Sequence, residues 1–236
     1  MNMSRRQMLL AGLGLLVGGC STRDGNRPPR PRTHWPGAAS RPRSGAGTDV
    51  AAPAPPHPTR TSAPVDAALD VLPRSRWAST ATRGGRVNPM NGINRITLHH
   101  EGWTTVDFTD LATTQQRLER IRSNHVNNLG WADIGYHYVI DRAGRLWEGR
   151  PIGYQGAHVG GNNEHNLGIM LLGNFDNQQP TRAQLDAMVD TVRTLRRRYN
   201  VPAHRVVTHQ EITPTACPGR RLQPQIVRLR SAGRFA

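Results

Sequence analysis

Two histidines and one cysteine, His99, His209 and Cys217, have side chains that could hold a metal ion. His99 and His209 lie at the ends of predicted strands, and Cys217 lies in a loop stiffened by prolines, residues 212–219. Two imidazoles and one thiolate would give zinc three protein ligands and leave a fourth position for water, which is typical of catalytic zinc sites. Bound zinc lowers the pKa of that water toward about 7. The residue types therefore suggest hydrolysis at neutral pH.

The spacing of these three residues does not by itself decide for zinc. The sequence has no His-Glu-x-x-His or Cys-x-x-Cys motif, and its ten histidines offer many accidental trios. Two interpretations stay open on the residues alone: a zinc site, or surface histidines together with a buried inert cysteine.

Helices are predicted between His99 and His209 and after Cys217. Asp110 can cap a helix that runs to Leu129, and Gly130 can end it. A capping box at Thr181 starts a second helix, which Asn200 can close. A final short helix is predicted over Pro224 to Leu229. The apolar positions of the first two helices are Leu111, Leu118, Ile121, Val126, Leu185, Met188, Val189, Val192, Leu195 and Tyr199.

Strands are predicted between the helices. They cover residues 95–100, 134–140, 146–148, 167–172 and 205–208, and a turn at residues 141–144 makes a hairpin of the second and third. Because strands and helices alternate, we expect an α/β fold, a central mixed β-sheet flanked by α-helices. Residues 71–236 have the length of one domain, and we assign them as the single catalytic domain.

The first twenty residues have the pattern of an export signal. Arg5 and Arg6 precede an apolar run over residues 8–17, too short to span a bilayer, as in a twin-arginine signal. The run ends in small residues and Cys20, which resembles the lipobox of bacterial lipoproteins; an ordinary signal peptide with an incidental cysteine is the alternative. We expect an exported protein held at a membrane of the periplasm or cell envelope by a lipidated Cys20. Cys217 is then left without a disulfide partner, and metal ligation is one reason for such a thiol.

Residues 21–70 are predicted to be a disordered linker. They contain ten of the eighteen prolines, with Arg, Ala, Ser, Thr and Gly, and almost no large apolar side chains. The formal charge of +15 comes entirely from arginine, because the chain contains no lysine. The arginines are scattered without a nucleic-acid-binding motif, so we expect no nucleic-acid partner.

Six segments in unbroken order resemble the peptidoglycan recognition protein and type-2 amidase family, and Arg76-Trp77 resembles its entry motif. The chain is identified on them as a bacterial lipoprotein member of that family, over about residues 71–230. The segments are Ile96–His100, Asn128–Tyr138, Leu146–Arg150, Gly156–His158, Asn163–Asn174, and Val207–His209 with Ala216–Gly219.

The resemblance implies a zinc-dependent N-acetylmuramoyl-L-alanine amidase that binds peptidoglycan or muropeptides, and we expect it to act as a monomer. It implies that His99, His209 and Cys217 are the Zn²⁺ ligands. His100 follows His99 on a strand and faces the opposite way, so it is expected to be structural or to lie at the edge of the cleft.

The resemblance also assigns roles beyond the metal. Tyr136 matches the tyrosine that donates a hydrogen bond to the oxyanion, and Thr215 stands where other members have a lysine or a threonine. His158 and Asn163 match positions that contact the muramyl peptide. Arg150 could pair with a carboxylate of the stem peptide, although an exposed salt bridge is the simpler interpretation.

Two other functions compete with the amidase. Some members of the family bind peptidoglycan without cleaving it, so a non-catalytic receptor is the main alternative. A glycosidase that uses Glu101 and Glu148 as its carboxylate pair is a further one.

Overall fold

The computed structural model describes residues 69–83, 85 and 87–236, which form a six-stranded mixed sheet with three α-helices. This confirms the predicted fold class. The leader at residues 1–20 and residues 21–68 of the linker lie outside the described residues. Among the residues that are described, no helix is both long and apolar enough to cross a membrane.

The strands and helices alternate along the chain. In order they are β1 (Val71–Leu72), β2 (Arg95–His100), α1 (Leu111–Asn127), β3 (Tyr138–Ile140), β4 (Leu146–Glu148), β5 (Asn166–Leu171), α2 (Arg182–Tyr199), β6 (Val206–Thr208) and α3 (Gln223–Ser231). Short 3-10 turns cover Arg74–Arg76, Ala203–Arg205 and His209–Glu211. The final helix is thus longer at both ends than Pro224 to Leu229, and Arg205 belongs to a 3-10 turn rather than to β6.

The sheet order is β1-β4-β3-β5-β2-β6, and β3 with β4 is the antiparallel pair while the other neighbours run parallel. The central strand β5 is buried over its whole length, as expected for a strand covered on both faces. β2 lies between β5 and β6. The carboxyl ends of β2 and β6 therefore lie at the same edge of the sheet.

Alternate residues of the strands pack on opposite faces. Ile96 and Leu98 of β2 pack in a core with α2 and α3, whereas Met170 of β5 packs in a second core with Leu118 and Ile121 of α1. Because side chains alternate along a strand, His99 lies on the α1 face and His100 on the other.

Helix α1 begins and ends close to the predicted positions. Asp110 caps it, and one carboxylate oxygen accepts a hydrogen bond from the Thr113 amide at 2.8 Å. The helix ends at Asn127 rather than Leu129, and Gly130 follows in the left-handed region with φ of 70°. Leu111 was assigned to the apolar face but is exposed, since it is the first residue of the helix.

The prediction of one strand over residues 134–140 is wrong for its first half. Residues 134–137 do not form a strand. The His137 amide still donates to the Gly168 oxygen at 2.9 Å, but the Gly168 amide donates to Nδ1 of the His137 ring at 3.0 Å and not to a main-chain oxygen, as a continuing ladder would require. A regular strand would have placed Tyr136 and Tyr138 on one face. Instead, Tyr136 packs with the α1 core and Tyr138 with the α2 core.

Candidate metal centre and its surroundings

The ends of two parallel strands bring His99 and His209 together. Leu98 of β2 pairs with Thr208 of β6. The next residue after each of these two is a histidine, so His99 and His209 lie side by side at the same edge of the sheet. The two imidazole centroids are 4.8 Å apart. The loop after the 3-10 turn at residues 209–211 returns Cys217 to this edge, where its main-chain oxygen accepts a hydrogen bond from the Gln210 amide at 2.9 Å.

One potential ligand atom from each of His99, His209 and Cys217 lies within 4.8 Å of the others. The Cys217 sulfur is 3.5 Å from Nδ1 of His99. The sulfur also accepts the main-chain N–H of His100 at 3.4 Å, a donor that favours a thiolate. The structure therefore assembles the three residues that the sequence singled out.

Burial sets the protonation of these groups before any metal binds. It lowers the pKa of His209 to about 4 and that of His99 well below the ordinary histidine value, so both imidazoles are neutral with a free lone pair at neutral pH. It also raises the pKa of the Cys217 thiol to about 12. A metal ion must therefore displace one proton, that of Cys217, to bind all three residues.

The donor set fits zinc. Two neutral imidazoles and one sulfur are borderline and soft ligands, which suit Zn²⁺ better than the hard cations Mg²⁺ and Ca²⁺. Three protein ligands, of which His209 and Cys217 are partly exposed, would leave one position for a water or a substrate oxygen.

Tyr136 lies beside this cluster. Its ring is tilted against His99 with the centroids 5.2 Å apart, and the residue is buried. Burial raises the pKa of the Tyr136 phenol well above its usual value, and the nearby Cys217 adds to the shift. The phenol therefore keeps its proton at neutral pH and can donate a hydrogen bond.

Thr215 is exposed two residues before Cys217. Its hydroxyl oxygen accepts a hydrogen bond from the Cys217 amide at 3.2 Å. That contact orders the loop and leaves the hydroxyl hydrogen free to be donated to another group.

His158 and Asn163 have structural partners that the resemblance did not indicate. His158 is buried, and its Nδ1 is 3.1 Å from Nε2 of His99. Asn163 accepts the main-chain N–H groups of His158 and Val159, each at 2.9 Å. Both residues therefore support the position of His99, in addition to any contact with a ligand.

Arg150, for which pairing with a stem-peptide carboxylate and an exposed salt bridge were the two interpretations, is not exposed. It is buried, and its guanidinium donates hydrogen bonds to the main-chain oxygens of Ile134 at 2.9 Å, Gln155 at 2.8 Å and Asp133 at 3.1 Å. The interpretation of an exposed salt bridge is therefore wrong. These bonds fix the loop before β3, which contains Tyr136.

Two carboxylates considered as a glycosidase pair have other partners. Glu101 is buried and forms an ion pair with Arg117, and burial raises the pKa of this carboxyl to about 6. The Glu148 carboxylate accepts the main-chain N–H of Arg74 at 2.9 Å. His100, as expected, faces away from His99, and its Nδ1 accepts the Phe175 amide at 3.2 Å.

Asn166 is a part of the site that the sequence did not indicate. Its main-chain oxygen lies 3.1 Å from Nε2 of His158. A main-chain oxygen leaves no signal in the sequence. Gly156 and Gly168 lie against the same histidine, since an added Cβ would come within 2.3 and 2.6 Å of the His158 ring.

A cavity of about 210 Å³ lies next to the loop that contains His158. Trp131, Arg150 and Asn163 contribute to its walls, together with Val87, Asn88, Gly130, Ala132, Gln155, Gly156 and Ala157. One aromatic ring among amides and main chain can contact both the apolar and the polar parts of a ligand.

Comparison with known proteins identifies the family. The family model "Amidase_2: N-acetylmuramoyl-L-alanine amidase" matches residues 89–220, more than half of the chain. The human N-acetylmuramoyl-L-alanine amidase is 29% identical over 151 residues, 63% of this chain. The match covers only 26% of the human protein, so the chain spans about a quarter of that relative's length.

Two solved Drosophila structures are similar to this one. Peptidoglycan recognition protein SD has a TM-score of 0.62 at 25% identity, covering 67% of this chain and 94% of that chain. A mutant of peptidoglycan recognition protein LB, in complex with tracheal cytotoxin, has a TM-score of 0.60 at 26% identity, covering 66% of this chain and 92% of that chain. Together with the family match, these similarities show that the chain belongs to the family of N-acetylmuramoyl-L-alanine amidases and peptidoglycan recognition proteins.

Proposed function

We propose that the chain is a zinc-dependent N-acetylmuramoyl-L-alanine amidase, which hydrolyses the amide bond between N-acetylmuramic acid and L-alanine in peptidoglycan. The observation that carries the proposal is the cluster of His99, His209 and Cys217 at one edge of the sheet, with potential ligand atoms within 4.8 Å of one another. Membership of the family supports the substrate class.

Each group in the site has a task in this reaction. His99, His209 and Cys217 would hold zinc, which when bound supplies an activated water and polarises the amide carbonyl. Oxygen from water adds to the carbonyl carbon, the carbon–nitrogen bond breaks, and the amine of L-alanine leaves with a proton. The Tyr136 phenol donates a hydrogen bond to the carbonyl oxygen as its negative charge grows. Thr215 supplies a weaker hydroxyl donor at the edge of the site.

The cavity beside the His158 loop supports binding of a muramyl peptide. Its wall includes the Trp131 ring and the Asn163 amide, and a relative was solved in complex with tracheal cytotoxin. We propose that this cavity receives part of the peptidoglycan substrate, with the protein acting as a monomer.

The proposal extends to the location of the enzyme. The arginine pair and the apolar run before Cys20 support export, and the cysteine supports a lipid anchor in the periplasm or cell envelope. A proline-rich tether over residues 21–70 would then hold the domain away from the membrane.

Release of new amino termini from purified peptidoglycan sacculi tests the activity. The full chain should expose the amine of L-alanine, lose this activity with a chelator, and regain it with zinc. Cys217→Ser and His209→Asn should be inactive, while His204→Asn, which changes an exposed histidine near β6, is the matched control. Tyr136→Phe should bind zinc like the wild type but react about 10² to 10³ times more slowly.

The non-catalytic receptor gives a different result in the same assay. It would bind sacculi without new amines, and binding would be indifferent to Cys217→Ser and Tyr136→Phe. Cleavage that survives complete removal of zinc would contradict the amidase proposal.

A further inference from the structure

The imidazole of His99 has a close neighbour at each of its nitrogens. Nδ1 faces the Cys217 sulfur at 3.5 Å, and Nε2 faces Nδ1 of His158 at 3.1 Å. A neutral imidazole has one hydrogen on its two nitrogens, so one nitrogen donates and the other accepts. Only the nitrogen without a hydrogen can bind a metal ion. The tautomer of His99 therefore decides whether its lone pair points toward Cys217 and His209.

A main-chain carbonyl determines this tautomer through His158. Nε2 of His158 is 3.1 Å from the main-chain oxygen of Asn166, which can only accept a hydrogen bond. Both histidines are buried, which disfavours a charged ring. The hydrogen of His158 is therefore on Nε2 and its Nδ1 is an acceptor. Nε2 of His99 must then be the donor, and Nδ1 of His99 keeps its lone pair.

We propose that His158 is a positioning residue, which fixes the metal-binding tautomer of His99 by passing on the hydrogen-bond direction set by the Asn166 carbonyl. The inference rests on the proposed metal site at His99, His209 and Cys217. It gives His158 a task beyond contact with the muramyl peptide.

The space around His158 is shaped for its ring. An added Cβ at Gly156 would be 2.3 Å from the His158 Cδ2 atom, and one at Gly168 would be 2.6 Å from the same atom. Such distances are far below ordinary contact, so only glycine at these two positions lets the ring lie against both segments. The amide oxygen of Asn163 holds the main chain of His158 at the same time.

The contacts from the Asn166 carbonyl through His158 to His99 form a histidine relay. The Asn166 carbonyl, the acceptor at the end of this relay, is also held in place. Asn166 is the first residue of β5, and its side-chain oxygen accepts a hydrogen bond from the Thr97 hydroxyl at 2.7 Å. Its side-chain nitrogen donates to the main-chain oxygen of Asn162 at 2.7 Å. The Asn166 carbonyl is thus fixed relative to β2, the strand that contains His99.

Such support changes the affinity for metal. A partner that accepts the second N–H of a ligating imidazole fixes its orientation and raises its basicity, and loss of that partner typically costs 10- to 100-fold in metal affinity. The relay therefore matters in the metal-free protein, where it keeps His99 ready to bind.

The first test measures the tautomers directly. Long-range ¹H–¹⁵N correlation spectra of the metal-free full chain, labelled on histidine, distinguish the two neutral forms. We expect hydrogen on Nε2 in both His99 and His158. Hydrogen on Nδ1 of His99 would overturn the proposal, and this measurement needs neither a variant nor activity.

The second test measures zinc affinity by competition with a chromogenic chelator. His158→Phe should lose about 10- to 100-fold. The asparagine of His158→Asn can place its oxygen near the Nδ1 position, so it should keep most of the affinity. The glutamine of His158→Gln reaches the Nε2 position instead, leaves His99 without its acceptor, and should lose affinity as His158→Phe does.

A matched control separates positioning from general loosening. His125 is also buried, and its ring packs on Trp131 and Tyr136. His125→Gln should keep the zinc affinity of the wild type even if it lowers stability. Equal loss in all three His158 variants, or an equal loss in His125→Gln, would overturn the proposal. A wild type that shows the expected tautomers but binds no zinc would contradict the proposed function instead.

Discussion

At the scale of single residues, main-chain carbonyl groups are the hydrogen-bond partners of the buried Arg150 and His158 side chains. Arg150 donates to the oxygens of Ile134, Gln155 and Asp133, and His158 lies against that of Asn166. Burial lowers the pKa of Arg150 only to about 10, so its charge persists at neutral pH. The guanidinium thus stabilises a loop that contains no regular secondary structure.

Replacing Arg150 should therefore destabilise the fold. Lysine has no planar fork of donors, so Arg150→Lys leaves at least one buried carbonyl without a partner and should lower the free energy of unfolding by about 2 to 4 kcal/mol. Urea unfolding at pH 7 measures the loss, and Arg228→Lys, at an exposed position, should unfold like the wild type. If Arg150→Lys has the stability of the wild type but binds muropeptide more weakly, Arg150 acts mainly by contacting the ligand and not by stabilising the loop.

At the scale of elements, the N-terminus of α2 is joined to the sheet. The Thr181 hydroxyl accepts the Gln184 amide at 3.0 Å and donates to the main-chain oxygen of Arg142 at 2.9 Å. The Gln184 side chain accepts the Thr181 amide at 3.2 Å and donates to the Leu172 oxygen at 2.9 Å. One capping box therefore connects α2 to the β3–β4 turn and to the end of β5.

Removal of the Thr181 hydroxyl breaks both of its contacts. Thr181→Val keeps the shape of the side chain but leaves the Gln184 amide and the Arg142 carbonyl without this partner, and should cost about 1 to 2 kcal/mol. Thr181→Ser retains the hydroxyl and should cost much less. Thermal or urea unfolding compares the two variants; an equal cost for both would show that the methyl group, and not the cap, is what matters.

Elements with a strong local signal were predictable from the sequence, whereas their departures from regularity were not. The caps at Asp110 and Thr181 lie in the sequence beside the helices that they start. The break at residues 134–137 depends on a bond between the His137 ring and Gly168, thirty-one residues away, which alternation along one segment cannot reveal. The same holds for His158, whose contact with His99 joins a loop to the distant strand β2.

At the scale of the whole molecule, the charge of a very basic protein is combined with a neutral histidine interior. The chain has 31 arginines and no lysine. Five of its histidines are buried: His99, His100, His125, His137 and His158. Burial lowers the pKa of His137 to about 4 and that of His125 to about 3. The fold therefore excludes protons that the unfolded chain would bind below the ordinary histidine pKa of 6.5.

The metal-free protein should consequently lose stability in acid. From about pH 6.5 to pH 4 the unfolded chain binds more protons, so each such histidine lowers the free energy of unfolding by about 1.4 kcal/mol per pH unit. Glu101 opposes this between pH 4.5 and 6, because its pKa is raised to about 6 and the folded state binds that proton more tightly. The histidines outnumber it, so the net change is a loss.

Urea unfolding at pH 7 and pH 5, with a chelator present, measures this loss. His137→Gln removes one of the contributing groups, so its stability should fall by about 2 kcal/mol less than that of the wild type over this range. His204→Asn, which changes an exposed histidine, should fall as the wild type does. Equal stability of the wild type at both values would contradict the neutral histidine interior.

The last acceptor of the histidine relay has a genetic consequence. It is the main-chain oxygen of residue 166, and every amino acid has such an oxygen, so no amino-acid substitution at that position removes the atom itself. Substitutions can still damage the relay at His158, through larger residues at positions 156 and 168, or by moving the carbonyl through loss of the Asn166 side-chain contacts. Two glycines with no reactive group are thus as necessary to the chemical site as the histidine ring that they pack against.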